Sequence, residues 1–242
     1  MGTSSARRAP STRLWRRAKL AATRYLSPAS AGAITAGEVA ARYVAALGEG
    51  GGPGPAGALS AFRLTRRVAQ NLGAFCCQAA SQGWPAALED LGLKDLAGNA
   101  PEALAQALSA ALGVPGGGLE QAVAHTALLE TLMNLPGNSG APLKAAGLAG
   151  RFLAAALHLR LALDLGDSLE AAAPGISPLR QGLAELSDCL DRAAVIPTLP
   201  AAPRTPGDWL GLPGWIWVSH LLAGLLSNLT GQSSSADSPE NI

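Results

Sequence analysis

The chain has 242 residues, 48% of them hydrophobic but only 4% aromatic, and a net charge of +1. Ala and Leu, the strongest helix formers, dominate, while β-branched residues and alternating apolar–polar runs are scarce, which excludes a sheet-based fold and points to an all-α protein. The near-neutral total hides an asymmetry: residues 1–67 hold eleven Lys/Arg and two acids (+9), and residues 68–242 hold seven and fifteen (−8). A basic third joined to an acidic remainder implies a polyanion partner, or charge pairing within or between chains.

In chain order, residues 1–10 read as a flexible basic arm containing Arg7 and Arg8. Ser11 or Thr12 caps a helix that runs to about Leu26 and stops at Ser27-Pro28. Along it, Arg13, Arg16, Arg17 and Arg24 follow spacings of three, four and seven and share one face, with Lys19 off that stripe and Trp15 on apolar surface nearby. Thr35 and Glu38 form a capping box for a second helix ending near Leu47. Residues 49–57 (EGGGPGPAG) have linker composition and separate an N-terminal segment, 1–48, from a main helical domain, 58–196.

Within that domain the periodicity predicts a helix over 58–82, a short one over 85–91, one from Pro101 to Leu112 capped by Asn99, and one from Leu119 to about Leu135. A loop over 136–140 precedes a long Ala/Leu helix over 141–165 that Gly166 ends, and Ser177-Pro178 opens a helix to about Val195. Residues 197–208, rich in proline, read as an extended linker. The segment 209–230 is apolar and uncharged through Leu229. Its glycines and proline and its lack of a basic flank favour a core or docking helix over a membrane span. Residues 231–242 read as a disordered polar tail. The expected architecture is an irregular helical domain of about seven to nine helices with a flexible basic N-terminal arm.

No constellation of catalytic residues stands out. His125, His158 and His220 fall on three different helices, none at metal-ligand spacing from another ligand type, so no metal is expected. Cys76, Cys77 and Cys189 make neither a CxxC pair nor a disulfide framework, and burial is their expected role. The glycine run 113–118 lacks the ending of a phosphate loop, and no GxSxG turn exists. No cofactor is implied, and the chain reads as a non-enzyme.

The basic N-terminal helix carries the chemistry that remains. Arg7, Arg8, Arg13, Trp15, Arg16, Arg17, Lys19 and Arg24 suit a phosphate backbone, an anionic membrane surface or an acidic protein face, with Arg63, Arg66 and Arg67 as a possible extension. Trp209, Trp215 and Trp217 are either core residues or the anchors of a second interface. No secretory signal follows the early arginines, and cysteines without a disulfide framework fit a cytoplasmic protein. The acid-free, Arg- and Ser-rich stretch 1–37 also has the composition of an organelle transit peptide.

Met1-Gly2-Thr3-Ser4-Ser5, a short linker with Pro10, then Trp15 at the head of a basic helix, resembles the start of QatB-type proteins of bacterial Qat anti-phage defence systems. The resemblance implies a cytoplasmic accessory or adaptor protein working with an ATPase, a queuosine-synthesis-like enzyme and a TatD-like nuclease. Met1 to Ser4 and Trp15 would form a docking arm. It implies no catalytic residues.

Overall fold

The computed structural model describes residues 12–30, 32–49, 55–96, 100–134, 144–195 and 199–234, and these contain helices and no strand. Eleven α-helical segments follow one another: α1 (Arg13–Leu26), α2 (Ala36–Gly48), α3 (Pro55–Ala58), α4 (Arg63–Gln82), α5 (Trp84–Asp90), α6 (Pro101–Leu112), α7 (Leu119–Met133), α8 (Ala145–Ala172), α9 (Ile176–Ala193), α10 (Pro206–Leu210) and α11 (Leu212–Ser234). Nine of them have seven residues or more, and the short α3 and α10 take the count beyond the expected seven to nine.

The caps explain several starts. The Thr12 hydroxyl accepts from the Trp15 amide at 3.5 Å, so Thr12 begins α1. At α2 the Thr35 hydroxyl accepts from the Glu38 amide at 3.2 Å while the Glu38 carboxylate accepts from the Thr35 amide at 2.9 Å. This reciprocal pair satisfies two amides that the helix ladder leaves open.

The long helix α8 organises the interior. Phe152, Leu153, Leu157, Leu161, Leu165 and Leu169 are buried along it, with Ala149, Gly150, Ala154 and Ala156 filling other faces. Burial on most sides marks a core helix instead of a surface one. It packs against α1, α4, α7 and α9, and α11 closes the bundle chiefly against α2. One apolar cluster runs from Trp15 to Leu229, so α1, α2 and α11 share the core of the intervening helices.

Five expectations change in detail. Gly166 does not end α8, which continues to Ala172. Burial of Leu165 and Leu169 holds the turn that contains it, outweighing a glycine penalty of about 1 kcal/mol. Pro55 to Gly57 open α3 instead of ending a linker. The cap of α6 is Ala100, without a side-chain bond, and Asn99 lies outside the described residues. The stretch after α9 is strapped down over its described part: Leu199 and Ala202 pack on the core, and the Pro200 carbonyl accepts from the Trp217 indole at 2.9 Å. Residues 231–234, expected in the tail, still belong to α11. The arm over residues 1–10 and the alternative cap Ser11 lie outside the described residues, as do the loop 136–140 and residues 235–242.

Candidate functional site

The face of α1 that turns from the core is cationic. Arg13, Arg16, Arg17 and Arg24 are exposed and Lys19 is half-buried, and among the described residues none of the five makes an ion pair. Leu20, 48% exposed, sits in the middle of this basic face. The opposite face carries Trp15, Ala18, Ala21 and Ala22, all buried. Trp15 meets the Tyr43 ring edge-on at 5.8 Å. The Tyr43 hydroxyl donates to Asp164 at 2.8 Å, and Asp164 pairs with Arg160 at 2.9 Å. Complete burial raises the Tyr43 phenol well above its usual range, with the Asp164 charge adding to the effect. At the other end of α1 the Tyr25 hydroxyl donates to Glu185 at 2.7 Å and lies 3.2 Å from the Gly182 carbonyl. Thus α1 is pinned to α2, α8 and α9 while its arginines project outward. Arg7 and Arg8, placed by sequence in the same group, lie outside the described residues.

Trp15 is 6% exposed and Trp209 and Trp217 are 0% and 3% exposed. All three are core residues: of the two readings the sequence left open for Trp209 and Trp217, core or interface anchor, burial selects the core, and Trp15 is turned inward from the basic face it was grouped with. Trp15 is held by Tyr43 of α2, and Trp209 and Trp217 sit in a tightly knit corner of α4, α10 and α11. Trp209 and Trp217 meet edge-on at 5.1 Å. A Cβ on Gly73 would come within 2.2 Å of the Trp209 ring, and one on Gly214 within 1.9 Å of the Trp209 carbonyl, so only glycine admits this approach. Fully buried Gln70 donates to the Trp209 carbonyl at 2.9 Å and to that of Gly211 at 3.0 Å.

Trp215 remains partly exposed. The Arg66 guanidinium lies over its ring at 4.1 Å and donates to Ser219 at 2.9 Å. Exposed Arg67 donates to Gln70 at 3.1 Å, and exposed Arg63 stands on the same turn of α4. Sequence reasoning grouped these arginines with α1, but α4 packs on α5, α7, α8, α10 and α11, and they form a separate patch with Trp215. Their spacing was visible in the sequence, whereas the approach of Trp215, about 150 residues away, is a product of the fold.

A cleft of about 810 Å³ lies between α7, α8 and α9, lined among others by Glu130, Arg151, His158, Ser187 and Asp191. Sequence reasoning missed it because its polar residues come from three helices with no local motif. The buried Nε2 of His158 has no hydrogen-bond partner, and burial depresses the imidazole pKa, opposed by the charge of Glu130. Asp191 shifts upward through burial and the charge of Asp188. Among the described residues no hydrogen bond joins His158 to Ser187 or Asp191, so a base-activated nucleophile is not assembled. His125 and His220 are exposed on other helices, and no group of three or more His, Cys, Asp or Glu among the described residues is placed to hold a metal. Burial pushes the Cys76 thiol up to about 12, so it is a packing residue and no nucleophile.

By length and composition one described helix, α8, could cross a membrane, and it is the core helix. The C-terminal segment suspected from the sequence does not meet the same test, and it buries Val218, Leu221, Leu222, Leu225, Leu226 and Leu229.

Comparison with known proteins gives one family, described as Qat anti-phage system associated protein QatB, whose profile matches residues 51–195. The match runs from α3 to α9, so it includes Arg63, Arg66 and Arg67 but leaves out the opening residues and Trp15 on which the sequence resemblance rests. No curated protein and no solved structure matches the chain.

Proposed function

Because the chain belongs to the QatB family of Qat anti-phage system associated proteins, we propose that it is a non-enzymatic adaptor of a bacterial anti-phage defence complex that docks through the basic face of α1. The observation that carries this reading is the row of Arg13, Arg16, Arg17 and Arg24, exposed and without an ion pair among the described residues, on a helix locked to the core from behind. Surface charges held by a rigid helix and left unpaired are poised for an acidic partner, because docking then costs little reorganisation. Leu20 supplies an apolar contact within the same face.

The partner classes are those the family resemblance implies: an ATPase, a queuosine-synthesis-like enzyme and a TatD-like nuclease. The proposed setting is the cytoplasm, where thiols such as Cys76 and Cys77 would stay reduced. The triple variant Arg13→Glu, Arg16→Glu, Arg17→Glu tests the docking face. It is expected to keep its melting temperature and to lose co-purification with the neighbouring defence subunits. Unchanged co-purification would sink the reading.

The same arginine spacing also fits a phosphate backbone, which makes nucleic-acid binding the second reading. It expects affinity for duplex DNA to fall steeply as salt rises, with a slope that shrinks by about one per arginine removed.

A further inference from the structure

The patch made by Arg63, Arg66, Arg67 and Trp215 continues into apolar surface. Leu210 is 52% exposed, Leu212 69% and Ile216 46%, and Leu212 and Ile216 stand one turn apart on α11. These three are among the few large apolar side chains left exposed, and a groove of about 730 Å³ runs between Arg63, Leu64, Arg67, Val114 and the Leu210–Leu212 corner. The carboxylate whose charge reaches Arg66 is Glu120, and it is engaged elsewhere: it accepts from the Thr65 amide at 3.1 Å, at the open N-terminus of α4. Asp208, on α10, faces the thiol of Cys77, nearly three turns further along α4 than Arg67. The surface therefore combines a net positive rim with an uncovered apolar floor, in a rigid frame set by Gln70, Gly73 and Gly214.

We infer that this corner docks an acidic, leucine-bearing segment of a partner protein, its apolar side chains on Leu210, Leu212 and Trp215 and its carboxylates on Arg63 and Arg67. Two features favour a protein over a nucleic acid. Arg66 already covers one face of the Trp215 indole, so a base cannot stack there. Leu212 and Ile216 offer aliphatic area suited to aliphatic side chains, not to phosphates or sugars. Arginine adds directional grip, because its planar fork donates two parallel hydrogen bonds to a carboxylate. A partly exposed Trp with neighbouring Arg is also the residue combination that carries most energy in protein interfaces. This surface is independent of the α1 face, so failure of one leaves the other standing.

The probe is a fluorescent amphipathic peptide with a leucine stripe and glutamates on its other face, read by anisotropy against the full chain at moderate salt. Its controls are the same peptide with lysines for glutamates and an oligothymidylate. The glutamate peptide is expected to bind. Affinity should fall about tenfold or more in Arg63→Glu/Arg67→Glu and in Leu212→Ser, yet persist in the α1 triple variant. Leu212 is largely exposed, so its variant should fold, and a thermal melt checks this. Absence of peptide binding, equal binding of the lysine peptide, or unchanged affinity in both variants would overturn the inference. Binding of the oligothymidylate alone, lost on Arg63→Glu/Arg67→Glu, would overturn it in favour of a nucleic-acid groove.

Discussion

Gln70 is the residue on which the α4–α10–α11 corner turns. Fully buried, its amide donates to two backbone carbonyls and its oxygen accepts from the exposed Arg67 guanidinium. Removing it strands the Trp209 carbonyl in the interior, so Gln70→Ala should cost about 1–3 kcal/mol in a denaturant titration. A loss close to zero would mean that the corner is held by packing alone. Gly214→Ala should be worse, since the added methyl would meet the Trp209 backbone and not a movable side chain. That variant is expected to expose the indole and shift tryptophan fluorescence to the red. Neither role was legible in the sequence: a glutamine inside a helix and a glycine in an apolar run carry no local sign of a contact made far along the chain.

At the scale of elements, legibility followed locality. The capping box at Thr35 and Glu38, the Pro101 start of α6 and the basic stripe of α1 rest on spacings of three and four residues, and the structure places them as expected. Where distant burial competes with local chemistry, the local rule lost. Gly166 was read as a helix end, yet Leu165 and Leu169 hold the helix through it. A methyl at Gly166 would meet nothing within 4 Å. Gly166→Ala should therefore raise stability by about 0.4–1 kcal/mol, chiefly by restricting the unfolded chain. A drop in melting temperature would show that this turn needs its glycine. The tryptophans followed the same logic: aromatic residues near a helix serve an interface or a core equally well in sequence, and the glycines that admit Trp209 decided for the core.

For the molecule as a whole, one apolar cluster binds the N-terminal helices, the family-matched helices and the C-terminal helix. The half-buried His158 in the α7–α9 cleft, with its Nε2 out of reach of water, makes stability depend on pH. Burial lowers its folded pKa below the ordinary value of 6.5, so the unfolded chain binds the proton more readily. Its contribution is present above about pH 6.5 and is lost as pH falls below that value. Asp191 shifts the opposite way, and its contribution is lost as pH rises from 3.8 through its raised folded value. The melting temperature should therefore drop between pH 7 and pH 5.5, and His158→Leu should flatten that drop. An equal drop in the variant would assign it to other groups. The arginines of α1 are exposed and make no ion pair among the described residues, and only the fold revealed a second cationic patch beside Trp215. Docking through α1 is tested most directly by recovering the tagged chain from its own host, with and without nuclease, and identifying what comes with it by mass spectrometry. Adaptor function predicts nuclease-resistant recovery of the ATPase or nuclease encoded beside it, lost in the Arg13→Glu, Arg16→Glu, Arg17→Glu variant. Partners that vanish with nuclease, or that the variant recovers undiminished, would contradict it.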